Sequence, residues 1–366
     1  MDITLLKRIL EEHFNDVEIN EYDEKGASVI KIAEEAVNNT ENFSYKIVND
    51  SKILFFYKGI EAGGINGQNL LTNKREGTLI ARDKFKAEEH LKEKNIKTTS
   101  SIIYDLNQFE DAKIEIQNHQ GPFVLKPYNL SSGKGVSLNV DADNIKEAWE
   151  KSVDAYGGDT TGASLIMQPQ LPGIEARFLV INEKFSSAIL RVPTNMVGDG
   201  KSTIEELIKQ KNHLRAKNPH LKKFMIKSDD ELENYLKKRD LSPGSVLENK
   251  ELVFFTEVSN IALGGDTLEI SHLVSDDLKH LAEAAVKAIP ALKSAGVDIM
   301  FSSFQDKEAS VLELNHAANL IMHYYPWKGQ PQQPIHDYIS SLYEEMTIND
   351  SFKNKGINLL KKLLSK

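Results

Sequence analysis

Apolar positions recur at helical spacing from the start of the chain. Ile3, Leu6, Ile9 and Leu10 share one face, and so do Val29, Ile32, Ala33 and Ala36. A continuous apolar run over residues 53–57 reads as a buried strand, with Gly63, Gly64 and Gly67 marking a loop beyond it. The stripe of Ala81, Phe85 and Leu91 predicts one helix over residues 77–95. Short strands are expected at 123–125, 136–140 and 165–167, with a helix near 145–155. Residues 176–181 and 186–192 read as two antiparallel strands joined at 182–184. A turn at 197–200 leads into a helix capped by Ser202 or Thr203. Glu205 and Glu206 then fall in the first turn, where carboxylates favour the helix dipole. Residues 210–250 are polar and Lys-rich, which predicts a solvent-facing insertion. Strands at 252–258, 296–301 and 310–314, a helix over 276–292 and a short amphipathic helix over 358–366 complete the pattern.

Composition narrows the class. The 366 residues suffice for two or three domain-sized units, and 40% of them are apolar, so the chain is globular. A net charge of −9 argues against a general nucleic-acid or anionic-membrane binder. No cysteine is present, which excludes disulfides, thiolate metal sites and cysteine nucleophiles. The first residues lack the apolar core of a signal peptide, and no apolar run approaches bilayer length. A cytoplasmic protein is expected, with no nucleic acid and no membrane among its partners.

Chemistry enters through Pro122-Phe-Val-Leu-Lys-Pro-Tyr-Asn-Leu-Ser-Ser-Gly-Lys-Gly-Val136. A buried strand delivers Lys126 to a loop of Ser131, Ser132, Gly133 and Gly135. An ammonium neutralises phosphate oxygens there, and glycines let backbone N–H groups approach them. Farther on, Glu313 and Asn315 alternate onto one strand face about 7 Å apart. Asp298 can join them from a neighbouring strand. Two carboxylates and an amide oxygen suit Mg²⁺. On the residues alone, Asp298 ending a strand and Glu313 facing solvent is the competing reading. Glu175 and Arg177 also share a face. Glu175 could accept ribose hydroxyls; Arg177 could organise phosphates or form a cross-strand ion pair. Arg191 stands at a strand end, and Asn260 with Gly264 and Gly265 makes a second candidate anion loop.

The order of these segments resembles that of the ATP-grasp ligases. It runs through Lys84, Val-Leu-Lys126-Pro, the Gly loop, Leu-Pro-Gly173, Glu-Ala-Arg177, Arg191 to Gly200, the Asn260 to Gly265 loop, Gly-Val-Asp298 and Glu-Leu-Asn315. Within that family the chain is most similar to the ATP-grasp modules of cyanophycin synthetase and of bifunctional glutathione synthetase. Arg191-Val-Pro through Gly-Asp-Gly200 and His323-Tyr-Tyr-Pro-Trp-Lys-Gly329 carry that likeness, which covers residues 72–345.

The resemblance implies an α/β (α+β) ATP-grasp fold in which two α+β subdomains clamp ATP. A small α/β domain over residues 1–75 would precede them. The subdomains would span 76–165 and 166–345, the second interrupted by the insertion, and 346–366 would form a helical tail. ATP phosphates would meet Lys84 and Lys126 under the Gly loop. Adenine would sit at a hinge from Gln168 through Gln170 to Leu171, with Gln168 where the family usually has Glu. Glu175 would take the ribose. Asp298, Glu313 and Asn315 would hold Mg²⁺, with Mn²⁺ as a substitute. Arg191 and Asn260 would steady the reacting groups, and His316 and His323 stand near as potential bases. The implied activity is an ADP-forming carboxylate–amine ligase acting on amino acids or short peptides. The alternative is a catalytically silent ATP-binding regulator, and a homodimer is an open possibility.

Overall fold

A computed structural model describes residues 2–364 apart from 24, 25, 27, 120, 131–133 and 257. Asp2 caps α1 (Ile3–Phe14), its carboxylate accepting the Leu5 N–H at 2.9 Å, and Ser28 caps α2 (Val29–Asn38). An antiparallel sheet follows: β1 (Phe43–Asn49), β2 (Lys52–Tyr57), β3 (Ile60–Asn66) and β4 (Asn69–Leu70), in that order. Gly63 and Gly64 lie inside β3, not in a loop. A Cβ at Gly63 would come within 2.8 Å of the Tyr338 hydroxyl, and one at Gly64 within 2.6 Å of the Ile53 carbonyl oxygen. These glycines mark close packing; only Gly67, at φ 61°, turns the chain.

The stripe over 77–95 is two helices, α3 (Arg75–Arg82) and α4 (Lys84–Glu93). Asp83 breaks them at φ −91°, ψ 100°. Its carboxylate accepts the Lys86 N–H at 3.1 Å and the Tyr128 hydroxyl at 2.5 Å. A second layer comprises β5 (Ile102–Asp105), α5 (Phe109–Asn118), β6 (Phe123–Pro127), β7 (Ser137–Val140), α6 (Ile145–Asp154) and β8 (Ser164–Pro169). Its strands run antiparallel in the order β5-β8-β6-β7, over a core that includes Phe123, Leu125, Trp149 and Met167.

β9 (Ile174–Ile181) and β10 (Lys184–Val192) form the expected hairpin, turning through Asn182 and Glu183 at φ 46° and 66°. Then come β11 (Asn195–Val197), α7 (Ile204–Lys217), α8 (Asp230–Lys237) and β12 (Leu252–Phe254). Thr203, not Ser202, caps α7, in a capping box with Glu206. The insertion is not merely solvent-facing: Ile226, Leu236 and Leu247 join Ile204, Leu207 and Phe255 in a separate core, and Arg215 is fully buried. β12 is shorter than its apolar run because its partner β11 has only three residues to pair with it.

β13 (Asp266–Glu269), α9 (Asp276–Ala288), β14 (Ala295–Phe301) and β15 (Ser310–Asn315) complete the large antiparallel sheet, in the order β13-β10-β9-β14-β15. Its back face packs on α1, α4 and α9 through Leu6, Leu91 and Leu278. The segment between α4 and β5 is stitched to β15: the Val311 N–H donates to the Lys97 carbonyl at 2.9 Å, and Thr98 Oγ1 donates to the Val311 carbonyl at 2.7 Å. After α10 (Leu320–Tyr324), one long helix, α11 (Pro334–Leu364), absorbs the tail expected as a separate helix. Tyr338, Ile339 and Leu342 of α11 share a core with Ile53 and Phe55 of the first sheet and Leu179 and Ile181 of β9. Among the described residues no helix is long and apolar enough to cross a membrane.

Candidate active site

Alternation along β9, β10, β14 and β15 puts Glu175, Arg177, Arg191, Asp298, Glu313 and Asn315 on the front of the large sheet. Register brings them together: Asp298 lies opposite Arg177 on one side and Glu313 on the other, and Asn315 lies opposite Gly296. Gly296 is needed there, because a Cβ would meet Arg177 Cδ at 2.9 Å.

Asp298 is the buried centre, 1% exposed. Arg177 donates to it bidentately, Nε to Oδ1 at 2.8 Å and Nη2 to Oδ2 at 2.7 Å. Arg191 Nη2 stands 3.0 Å from Oδ2 and also pairs with Glu175. Burial alone would push the Asp298 pKa up. Arg177 and Arg191 more than offset that and hold the carboxyl well below the usual range. Asn315 Nδ2 donates to Asp298 Oδ2 and Glu313 Oε1, both at 3.2 Å.

The facing wall comes from the second layer and α4. A cleft of about 870 Å³ separates the two sheets and is lined by Lys84, Lys126, Gln168, Glu175, Arg191 and Glu313, among others. Lys126 makes no hydrogen bond or ion pair among the described residues. Burial pulls its pKa down to about 8, against the pull of Glu313, Glu88 and Asp298. The break at Asp83 sets Lys84 as the first residue of α4.

Most residues expected from the sequence therefore meet in one place. Gln170, Leu171, Asn260 and Asn315 also line the cleft. Gln170 has its side chain engaged by Asn139, accepting from the backbone N–H at 2.7 Å and donating to Oδ1 at 2.9 Å. Asn260 Oδ1 accepts the Ala262 N–H at 2.9 Å, so this side chain shapes the loop. Gly135 lies beyond the cleft lining at φ 68°, where a Cβ would sit 2.6 Å from Ala155 Cβ. Asp298 lies beneath the cleft surface, and Arg177 is in the ion pair that the alternation allowed. Ser131, Ser132 and Gly133 fall outside the described residues. His316 reaches the cleft with Nδ1 2.9 Å from Asn69 Oδ1, and burial lowers its pKa. His323 is sealed in the interior against Ser187 Oγ at 2.8 Å. Burial pushes its pKa down to about 3, so it is neutral.

Two supports were not read from the sequence. Glu88 is a buried carboxylate receiving Lys92 Nζ at 2.6 Å, Thr99 Oγ1 at 2.5 Å, and the Ser101 N–H and Oγ at 2.8 and 2.6 Å. Its place beside Gln168, which Ser101 Oγ reaches at 3.4 Å, makes it a strut of the Lys126 wall. Its only sequence signal is the spacing of Lys84, Glu88 and Lys92. The first sheet braces the other end: the Ala318 N–H donates to the Gln68 carbonyl at 3.1 Å.

Two sheets clamping a cleft, with lysines on one wall and an acid–guanidinium array on the other, have the arrangement of an ATP-grasp fold. In sequence the chain is 32% identical over 232 residues to the glutathione biosynthesis bifunctional protein of Enterococcus faecalis, covering 61% of this chain and 30% of that one. It is 31% identical over 260 residues to the protein of that name from Clostridium perfringens, covering 69% of this chain and 32% of the relative. The chain thus spans about a third of the length of these curated relatives. A crystal structure of a bifunctional glutathione synthetase from Pasteurella multocida superimposes with a TM-score of 0.62 at 22% identity. The match covers 83% of this chain and 42% of that one, and shares the fold. No family model matches the chain.

Proposed function

We propose that this protein is an ATP-dependent carboxylate–amine ligase that joins amino acids or short peptides and releases ADP and phosphate. The observation that carries this reading is the lone Lys126 facing Glu313 across a cleft whose floor is the Arg177–Asp298–Arg191 array. The relatives, named for glutathione biosynthesis, support an amide-forming chemistry.

Lys84 and Lys126 bind the ATP phosphates as point charges, and Glu175, which pairs with Arg191, accepts ribose hydroxyls. Adenine lies between the sheets along Gln168 to Leu171. The donor set fits Mg²⁺: Glu313 offers carboxylate oxygen, and Asn315 Oδ1 has no partner among the described residues, both hard ligands. Asp298, whose Oδ2 is shared by Arg177, Arg191 and Asn315, would join them as a third oxygen ligand if Arg191 turned to phosphate. Bound Mg²⁺, for which Mn²⁺ can substitute, would neutralise phosphate charge. Arg191 then steadies the γ-phosphoryl group as an oxygen of the substrate carboxylate attacks it and ADP leaves. The amine nitrogen attacks the carbonyl carbon of the acylphosphate. The C–O bond breaks, and phosphate departs carrying that carboxylate oxygen. The amine's proton passes to phosphate or solvent. The loop shaped by Asn260 flanks this step, while the Gly264 and Gly265 N–H groups are spent on the Ile261 and Asn260 carbonyls.

The test follows an oxygen. With heavy-oxygen-labelled carboxylate substrate, one labelled atom should appear in inorganic phosphate. Label in AMP, or no amine-dependent ADP release across a broad screen of amino acids and dipeptides, would overturn the proposal.

A further inference from the structure

Behind the large sheet lies a second cavity, of about 420 Å³, between α1, α7 and the β11–β12 pair. It is separate from the cleft, because Val192 and Leu268 point into it while Arg191, between them in register, points to the front. Its walls are apolar: Leu10, Phe14, Met196, Leu214, Leu252 and Trp327. Its floor is charged. Asp266, 3% exposed, receives Lys211 Nζ at 2.6 Å on Oδ2 and Arg215 Nη1 at 2.8 Å on Oδ1. Lys211 gives its other N–H bonds to Asn195 O at 2.9 Å and Asn195 Oδ1 at 3.2 Å. Arg215 gives its own to the carbonyls of Phe224 and Gly265. Lys328 also lines the cavity. Its ammonium donates once, to the Phe14 carbonyl at 2.9 Å, and has no other hydrogen-bond partner among the described residues.

Three cations therefore surround one carboxylate in a space walled by hydrocarbon and indole. Glu11, the other acid lining the cavity, is exposed to solvent. Surplus buried charge is costly unless something of opposite sign meets it. Burial duly lowers the pKa of Lys211, Arg215 and Lys328. Three cations against one carboxylate leave two positive charges, and one added carboxylate would halve that surplus, whereas a polyanion would also confront Asp266. The apolar walls call for a ligand with a hydrocarbon or aromatic body. We propose that this cavity binds a small amphipathic carboxylate, its body against Phe14, Leu214 and Trp327 and its carboxylate on Lys328.

The probe is octanoate, titrated calorimetrically into the full chain, with octylamine and octan-1-ol as size-matched controls. One octanoate should bind per chain, and each control at least ten-fold more weakly. Leu214→Trp, which fills the cavity, and Lys328→Met, which removes the half-free ammonium, should each weaken octanoate at least ten-fold. Far-UV circular dichroism and the unfolding midpoint should stay near wild type. No octanoate binding, equal binding of the alcohol or amine, or wild-type binding by both variants would overturn the proposal. Should Leu214→Trp misfold, Lys328→Met alone decides, since its loss leaves no buried carboxylate unpaired.

Discussion

Lys126 ends a strand whose apolar residues are buried, and its ammonium faces the cleft without an ion-pair partner among the described residues. Its pKa of about 8 in the folded chain lies below the 10.5 of a solvated lysine. The unfolded chain therefore binds the proton more tightly, and the charged lysine destabilises the fold. That cost is complete below pH 8, shrinks as pH rises toward 10.5, and is absent above it. Lys126→Met should stabilise the protein at pH 7 by about 3 kcal/mol. Denaturant titrations should show the gap closing by pH 10.5. On the proposed function the same variant should also lose ATP binding. Glu313 presents the converse case. It is half-buried and offers an open carboxylate, so Glu313→Gln should leave the unfolding midpoint unchanged and lower kcat about 100-fold or more. Steady-state kinetics at saturating ATP and Mg²⁺ would check it. The Glu313–Asn315 face was legible because strand alternation is local. The pairing of Arg177 with Asp298 was not, because it depends on a register between β9 and β14, residues more than a hundred positions apart in sequence.

At the scale of elements, Asp83 decides where α4 starts and hence where Lys84 stands. Asp83→Ala removes an N-cap and the bond from Tyr128, and should cost about 1–2 kcal/mol. Because Tyr128 stands two residues from Lys126 on the same wall, the proposed ATP affinity should fall as well. Thermal unfolding and nucleotide titration read the two effects separately. The break was hidden in the sequence because Ala81, Phe85 and Leu91 keep a helical phase across it while Asp83 lies on the polar side. Glycine misled in β3 for a related reason. A turn and a close approach call for the same residue, and only the distance from Gly63 to Tyr338, far along the chain, tells them apart. The β9–β10 hairpin and the α7 cap were legible because alternation and capping-box spacing are contained within a few residues.

Across the whole molecule, the first sheet and α11 enclose one core with β9, so residues 1–71 do not form a detachable appendage. Deleting them should uncover Leu179, Ile181 and Tyr338 and remove α1 from the back of the large sheet. The truncated chain should bind a hydrophobic dye and lose cooperative unfolding, whereas the full chain should melt with these parts in one transition; calorimetry would show both. That dependence was invisible in the sequence because helix α11 (Pro334–Leu364), which bridges the two ends, lies far along the chain from the first sheet, which ends at Leu70. The stitch at Lys97 and Thr98 has a consequence of its own. It grips Val311, two residues before Glu313, at the place where the two walls of the cleft join. If the β5–β8 layer swings to admit or trap nucleotide, this seam is its fulcrum. Points beside a fulcrum hardly travel, so Glu313 and Asn315 would keep station while Lys126 sweeps through the wider arc, and the jaw would close onto a cation seat already set.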